Sequence, residues 1–196
     1  MAACFCCFRC FPWRAGFGSG HVPLKEIPSV VLDTSHMGND VVIVKSGRRI
    51  CGTGGALGNA PLVQDKAYFE IKLQSTGIWG VGLATRKSNL SRVPLGECAE
   101  SWVMRSDGTV CHAGEPLHKP TIEVAEGDLI GVTYDHMELN FFKNGENLQI
   151  PVSGIKGTLY PAVYVDEGAI LDVQFSEFYH PPPSGYDKIM FEQSLL

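Results

Sequence analysis

From Val41 onward the apolar positions recur every second residue rather than every third or fourth. Tyr68-Phe69-Glu70-Ile71-Lys72-Leu73-Gln74 sets Phe69, Ile71 and Leu73 against Glu70, Lys72 and Gln74, the alternation of a strand with two unlike faces. Val41-Val42-Ile43-Val44 is a short β-branched run between Gly38-Asn39-Asp40 and the turn residues Ser46-Gly47. Ile78 to Ala84 is apolar throughout, the pattern of a strand covered on both faces. Leu129 to Tyr134 and Leu139 to Phe142 flank a polar link, and Asn144-Gly145 follows, a pair that tolerates the positive φ of a two-residue hairpin. Leu171, Val173 and Phe175 alternate with Asp172, Gln174 and Ser176. No amphipathic helix of useful length is present. Short strands at regular intervals predict an all-β sandwich or barrel.

At 196 residues the chain suits one domain with short extensions. A domain of that size buries roughly 70% of its unfolded surface and needs no disulfide or metal staple. Residues 1–20 differ from the rest: Cys and aromatic residues are mixed with Arg, and Ala15 to Gly20 reads as a flexible linker. The expected domain runs over 21–187, with a tail over 188–196. Arg9 and Arg14 interrupt the apolar start, so no secretory signal is expected, and nothing approaches the ~20 apolar residues of a membrane span. The net charge of −5 argues against a nucleic-acid backbone as ligand. Seven unevenly placed cysteines make a poor disulfide framework and point to a reducing, cytoplasmic setting.

Five blocks in order carry a resemblance. They are Tyr68-Phe69-Glu70-Ile71 with Gly77 to Ala84; Ser101-Trp102-Val103-Met104-Arg105-Ser106-Asp107-Gly108; Gly127 to Val132 with Leu139 to Gly145; Leu159-Tyr160-Pro161-Ala162-Val163; and Asp172 to Phe175 with Pro182 to Tyr186. Together they resemble the SPRY domain family over about residues 32–186. The resemblance implies a two-sheet antiparallel β-sandwich of the concanavalin-like jelly-roll type that binds a protein or peptide without catalysis. Trp79, Trp102, Phe141, Phe142 and Tyr160 then read as core filling, and Gly80, Gly82 and Gly131 as points of close backbone approach.

Catalytic patterns are lacking. The six histidines fall at neither zinc-ligand spacing nor a His-x-His strand pair. No two carboxylates stand at i, i+2 on a strand as a glycosidase would place them, and Asp172 and Glu177 are expected on opposite faces. The glycines around Gly54-Gly55 have no following Lys-Ser or Lys-Thr, so they read as a loop entering a strand rather than a phosphate cradle. No metal or cofactor is expected. The alternative is a lectin-like carbohydrate-binding domain on the same sandwich, which would show exposed aromatic platforms.

Peptide-binding members of the resembled family use loops at one end of the sandwich. Carried over by position, the candidates are Thr53 and Gly54 in the glycine stretch, Arg86, Lys87 and Asn89 after the apolar strand, and Asp166 and Glu167 before Ile170. Members of the SOCS-box group carry Val-Trp-Gly where this chain has Asp166-Glu167-Gly168, a departure at the heart of that site. Arg86 and Lys87 opposite Asp166 and Glu167 would make a bipolar surface suited to a partner of mixed charge. Cys4, Cys6, Cys7 and Cys10 beside Phe5, Phe8, Phe11 and Trp13 admit three readings: S-acylation with peripheral membrane contact, a soft-metal site, or an unmodified reduced tail. Ala2 excludes N-myristoylation. The chain is expected to be a monomer without an effector segment of its own.

Overall fold

The structure, a computed structural model, describes residues 29–191. Those residues form fifteen strands and no helix. In chain order they are β1 (Leu32–Met37), β2 (Asp40–Val44), β3 (Arg49–Gly58), β4 (Ala67–Ser75), β5 (Ile78–Ala84), β6 (Ser101–Arg105), β7 (Val110–His112) and β8 (Glu115–His118). There follow β9 (Leu129–Tyr134), β10 (Glu138–Lys143), β11 (Glu146–Asn147), β12 (Val152–Ser153), β13 (Tyr160–Asp166), β14 (Ile170–Gln174) and β15 (Asp187–Lys188).

They assemble into the expected two-sheet sandwich. The first sheet runs β3-β13-β5-β6-β7-β8, with β1 on the outer side of β3. The second runs β11-β10-β9-β4-β14-β3, with β2 beside β3 and β12 beside β10. Pairing is antiparallel except at the short β15, which lies parallel to the start of β4. Asn144 (φ 49°) and Gly145 (φ 84°) make the two-residue turn between β10 and β11.

Strand β3 belongs to both sheets. Arg49 to Thr53 register with β2, and Arg49 and Ile50 also with β14; Gly54 to Leu57 register with β13. The chain changes sheets at Gly52 (φ 93°) and Gly54 (φ 133°), a backbone that residues with a Cβ rarely adopt. A Cβ at Gly52 would also lie 2.3 Å from the Asp40 carbonyl oxygen. The glycine stretch read as a loop is therefore the inside of a strand, and its glycines serve the crossing.

The core lies between the layers. Trp79, Val81 and Leu83 of β5 face Phe69, Ile71 and Leu73 of the second sheet within one cluster, and each is at most 2% exposed. Of the aromatic residues expected as filling, Trp79, Trp102, Phe141 and Tyr160 are buried and Phe142 is half-buried. Burial of such side chains, worth roughly 25 cal/mol per Å² of apolar surface, is the main force holding the sheets together.

Both outer faces are partly covered as well. Over the first sheet, the loop after β5 lays Leu90 and Leu95 on Leu57, Ala84, Ala162 and Tyr164, which accounts for the unbroken apolar run of β5. Close approach requires glycine there: a Cβ at Gly82 would lie 2.1 Å from the Trp102 carbonyl oxygen and 2.8 Å from Val103 Cα. Over the second sheet, the segment after β14 sets Phe178 edge-on to Tyr68 with ring centroids 4.8 Å apart. It also seals Glu70, which alternation places on a polar face. Glu70 is 0% exposed, and its carboxylate accepts hydrogen bonds from the Tyr68 hydroxyl (3.0 Å) and the Tyr179 amide. Further along, Ile189 is buried in the core and Phe191 packs against it, so the packed domain reaches beyond residue 187.

Asp172 ties β14 to the β2–β3 hairpin. It lies 2.5 Å from Arg49 Nε and 3.1 Å from Lys45 Nζ. Burial alone would raise its pKa, but the hydrogen bonds and charges of Arg49 and Lys45 outweigh it and hold the carboxyl below the ordinary range. Glu177, by contrast, meets only Arg48, at 3.8 Å.

Two outcomes follow. Gly82→Ala forces backbone against backbone and is expected to cost about 2–3 kcal/mol, read as a lower urea midpoint at unchanged slope; an unshifted midpoint contradicts the packing described. Because the folded chain protonates Asp172 less readily than the unfolded chain, its contribution is complete above about pH 4 and fades as the pH falls further. Asp172→Asn should cost about 2 kcal/mol at pH 7 and flatten the loss of stability below pH 4 in denaturation measured across pH. Equal acid slopes in both proteins would show that the ion pair contributes nothing.

Candidate functional site

Three stretches distant in sequence meet at one corner of the sandwich. The first is the crossing in β3, where Thr53 stands exposed opposite Asp40 of β2. The second is the end of β13: Val165 registers with Gly54, and the Thr53 hydroxyl donates to Asp166 Oδ1 at 2.9 Å. The third is the loop after β5. Its Leu90 carbonyl accepts from Gly55 N at 2.7 Å, and the Ser91 hydroxyl oxygen accepts from Asn39 N at 3.1 Å.

The turn at the end of β13 is tightly specified. Ala169 N donates to the Asp166 carbonyl at 3.0 Å, and Glu167 (φ 47°) and Gly168 (φ 83°) occupy the two positive-φ positions of a type I′ turn. Asp166 Oδ1 also accepts from Glu167 N at 2.9 Å, which aims the carboxylate along the turn. Gly77 is pressed against this turn: a Cβ there would meet Ala169 N at 2.6 Å and Glu167 O at 2.7 Å. Asp40, Thr53, Asp166 and Glu167 thus present an exposed or half-exposed acidic edge on rigid strand ends. Asn89 borders it, its side chain occupied in capping its own turn through Ser91 N at 3.1 Å.

Arg86 and Lys87 are elsewhere. Strands β5 and β13 run antiparallel, Ile78 against Asp166 and Ala84 against Tyr160, so the residues after Ala84 emerge at the opposite end from Asp166 and Glu167. About 20 Å of strand separates them. The expected bipolar surface is therefore corrected: one end carries the carboxylates, the other the two cations. Thr53 and Gly54 lie in a strand rather than a loop, although Thr53 is exposed at its bend. Cys4, Cys6, Cys7 and Cys10 lie outside the described residues.

Arg86 and Lys87 line a cleft of about 690 Å³ together with Lys156, Trp102, His112 and Tyr160. Sequence reasoning placed Trp102 and Tyr160 in the core, and at 6% and 7% exposure they do pack there, but their remaining edges wall this cleft. Lys156 and His112 carried no signal of their own, because only the folded chain brings the segment before β13 and the end of β7 beside the end of β5. Among the described residues no group of three His, Cys, Asp or Glu stands where it could hold a metal ion. Tyr179 is the one aromatic among the exposed large hydrophobic side chains described, and the Lys72 ammonium sits 4.9 Å over its ring.

Comparison with known proteins agrees with this architecture. The SPRY domain family model matches residues 66–178. SPRY domain-containing protein 7 of Bos taurus is 60% identical over 197 residues, which span 100% of this chain and 99% of that protein. Ran-binding protein 9 of Xenopus tropicalis is 33% identical over 119 residues, 56% of this chain and 21% of its own length. Among solved structures, the SPRY domain of human HERC1 superposes with a TM-score of 0.61 at 16% identity, covering 76% of this chain and 99% of that one, a likeness of fold alone. SPRY domains are in general interaction modules that bind protein partners, and no catalytic family is indicated. The paired sheets, the strand that joins them and the matched sequence blocks place this chain in the SPRY domain family.

Proposed function

We propose that this chain recognises a protein or peptide partner through the corner formed by Thr53, Asp166 and Glu167, with Asn89 at its border. We also propose that S-acylation at Cys4, Cys6, Cys7 and Cys10 tethers it to a membrane facing the cytoplasm. The supporting observation is the convergence of three remote segments on one exposed polar edge carried by strand ends. The rigid scaffold holds these groups in place before any partner arrives, which lowers the ordering cost of association. With Asp40, Asp166 and Glu167 at the edge, the matching partner surface is rich in amide and cationic donors, and such complementarity sets specificity and on-rate. The family supports a protein as the ligand, and one relative, Ran-binding protein 9, bears the name of a protein partner. Clustered cysteines beside aromatic residues favour acylation, and two acyl chains suffice for firm attachment.

Proximity labelling in cells tests the corner. Asp166→Lys combined with Glu167→Lys should remove a defined subset of labelled neighbours while the purified variant melts within a few degrees of wild type. An unchanged set of neighbours would exclude this edge as the recognition surface. Fractionation tests the tether. The wild type should be enriched with membranes and released when all four N-terminal cysteines become Ser, whereas a wild type found wholly outside the membrane fraction refutes acylation.

A further inference from the structure

The cleft beside Arg86 lies where β5 ends and β13 begins. The Arg86 guanidinium is held over the Tyr160 ring, 4.7 Å from its centroid, so this cation is positioned in advance. Lys87 and Lys156 line the same opening. Among the described residues no carboxylate approaches within 4.0 Å of these three cations, as is also true of Lys66, Lys72, Arg92, Lys119 and Lys188, but only these three share one opening. The carboxylate in the lining, Glu100, accepts a hydrogen bond from the Thr85 hydroxyl. Trp102 and His112 also line the opening, their rings stacked 4.3 Å apart at 9°. His112 Nδ1 lies 3.0 Å from the Ser101 carbonyl, which can only accept, so that nitrogen carries a proton and the imidazole is fixed in orientation. A chain of net charge −5 thus gathers three cations without carboxylate partners around one compact opening with a flat aromatic side.

A second, independent observation concerns where the chain enters the fold. Val31 N donates to Asn59 Oδ1 at 3.1 Å, Asn59 N donates to the Val31 carbonyl at 2.9 Å, and Leu32 registers with Gly58. Gly58 packs toward Pro161, at the Tyr160 end of β13. The N-terminal segment therefore joins the domain at the same end as the cleft, three strand spacings away, or about 14 Å. The Asp166 corner lies at the other end. The described chain thus begins at the cleft's end of the domain and not at the corner's.

The geometry points to this cleft as a seat for the phosphorylated headgroup of an anionic membrane lipid, with the phosphates on Arg86, Lys87 and Lys156 and the ring of the headgroup against Trp102 and His112. This rests on the membrane-tether part of the proposed function and adds a contact with the lipid surface that is independent of the acyl chains. A headgroup is favoured over an acidic peptide because the cations ring one opening instead of forming a stripe, and because the opening shares its end with the chain's entry.

The test uses the purified full chain without acyl groups in a vesicle flotation assay. Phosphatidylcholine vesicles containing phosphatidylinositol bisphosphate should carry the protein up, and pure phosphatidylcholine vesicles should not. Arg86→Glu combined with Lys156→Glu should weaken binding tenfold or more, the milder Arg86→Gln with Lys156→Gln should weaken it less, and Lys66→Glu with Lys188→Glu, the same charge change away from the cleft, should leave it within twofold. Soluble inositol trisphosphate should shift the Trp102 indole and His112 signals in NMR spectra. The proposal is overturned if the charge-reversed protein floats as the wild type does. It is likewise overturned if free inorganic phosphate or a Glu-rich peptide occupies the cleft with equal or greater affinity than the vesicles. Because the protein is unacylated here, this result and the cellular fractionation of the cysteine variant can fail separately.

Discussion

The two layers are joined through one strand, and that strand can cross only where it lacks side chains. Arg49 to Thr53 hydrogen-bond in one sheet and Gly54 to Leu57 in the other, so any distortion at Gly52 or Gly54 would shift the register of β2, β13 and β14 together. Register in a half-buried sheet is strict, since a slip of one residue would turn Ile50 outward and its neighbours inward. The corner that carries Thr53 is therefore placed by the same backbone that couples the sheets. Its rigidity is a by-product of the crossing.

Much of the architecture was legible in the order of residues. Alternation identified β4 and β14, apolar segments about a polar link marked β9 and β10, and the Asn144-Gly145 pair located a hairpin by backbone chemistry alone. The uninterrupted apolar run of β5 correctly implied cover on both faces. The failures have two causes. Period-two patterning states which side of a strand a residue occupies, but not what later folds over that side. Glu70 sits at a polar position by alternation, yet it is sealed beneath Phe178 and Tyr179, more than a hundred residues downstream. Glycine-rich β3 was hidden for another reason: it has few side chains to alternate, so its pairing rests on backbone hydrogen bonds that leave no mark on hydropathy.

The relative placement of the candidate loops was legible only in part, because ends of a sandwich are defined by strand direction. Thr53 and Asp166, named together from sequence, are joined by a hydrogen bond. Arg86 and Lys87 were grouped with them wrongly. Antiparallel neighbours release their following residues at opposite ends, so Arg86 and Lys87 leave β5 away from Asp166, although the same loop returns over the sheet to bring Leu90 and Ser91 to the corner. Knowledge of that single pairing would have separated the charges. The aromatic wall at Trp102 and Tyr160 had no separable signal, since a residue that packs inward at a sheet's end reads like any other core residue.

The direct pairing of β5 and β13 has one more consequence. Strand β13 pairs along all seven residues with β5 and over Ala162 to Val165 with β3, which leaves it no hinge, and its inward side chains are locked among close-packed neighbours. It therefore acts as a fixed-length strut. An occupant at one end would not switch the other end on or off; it would determine where in space, and at what angle, the other end is held out. Such a part contributes by metering distance, a task that depends on stiffness and would be lost in a looser fold with the same surface residues.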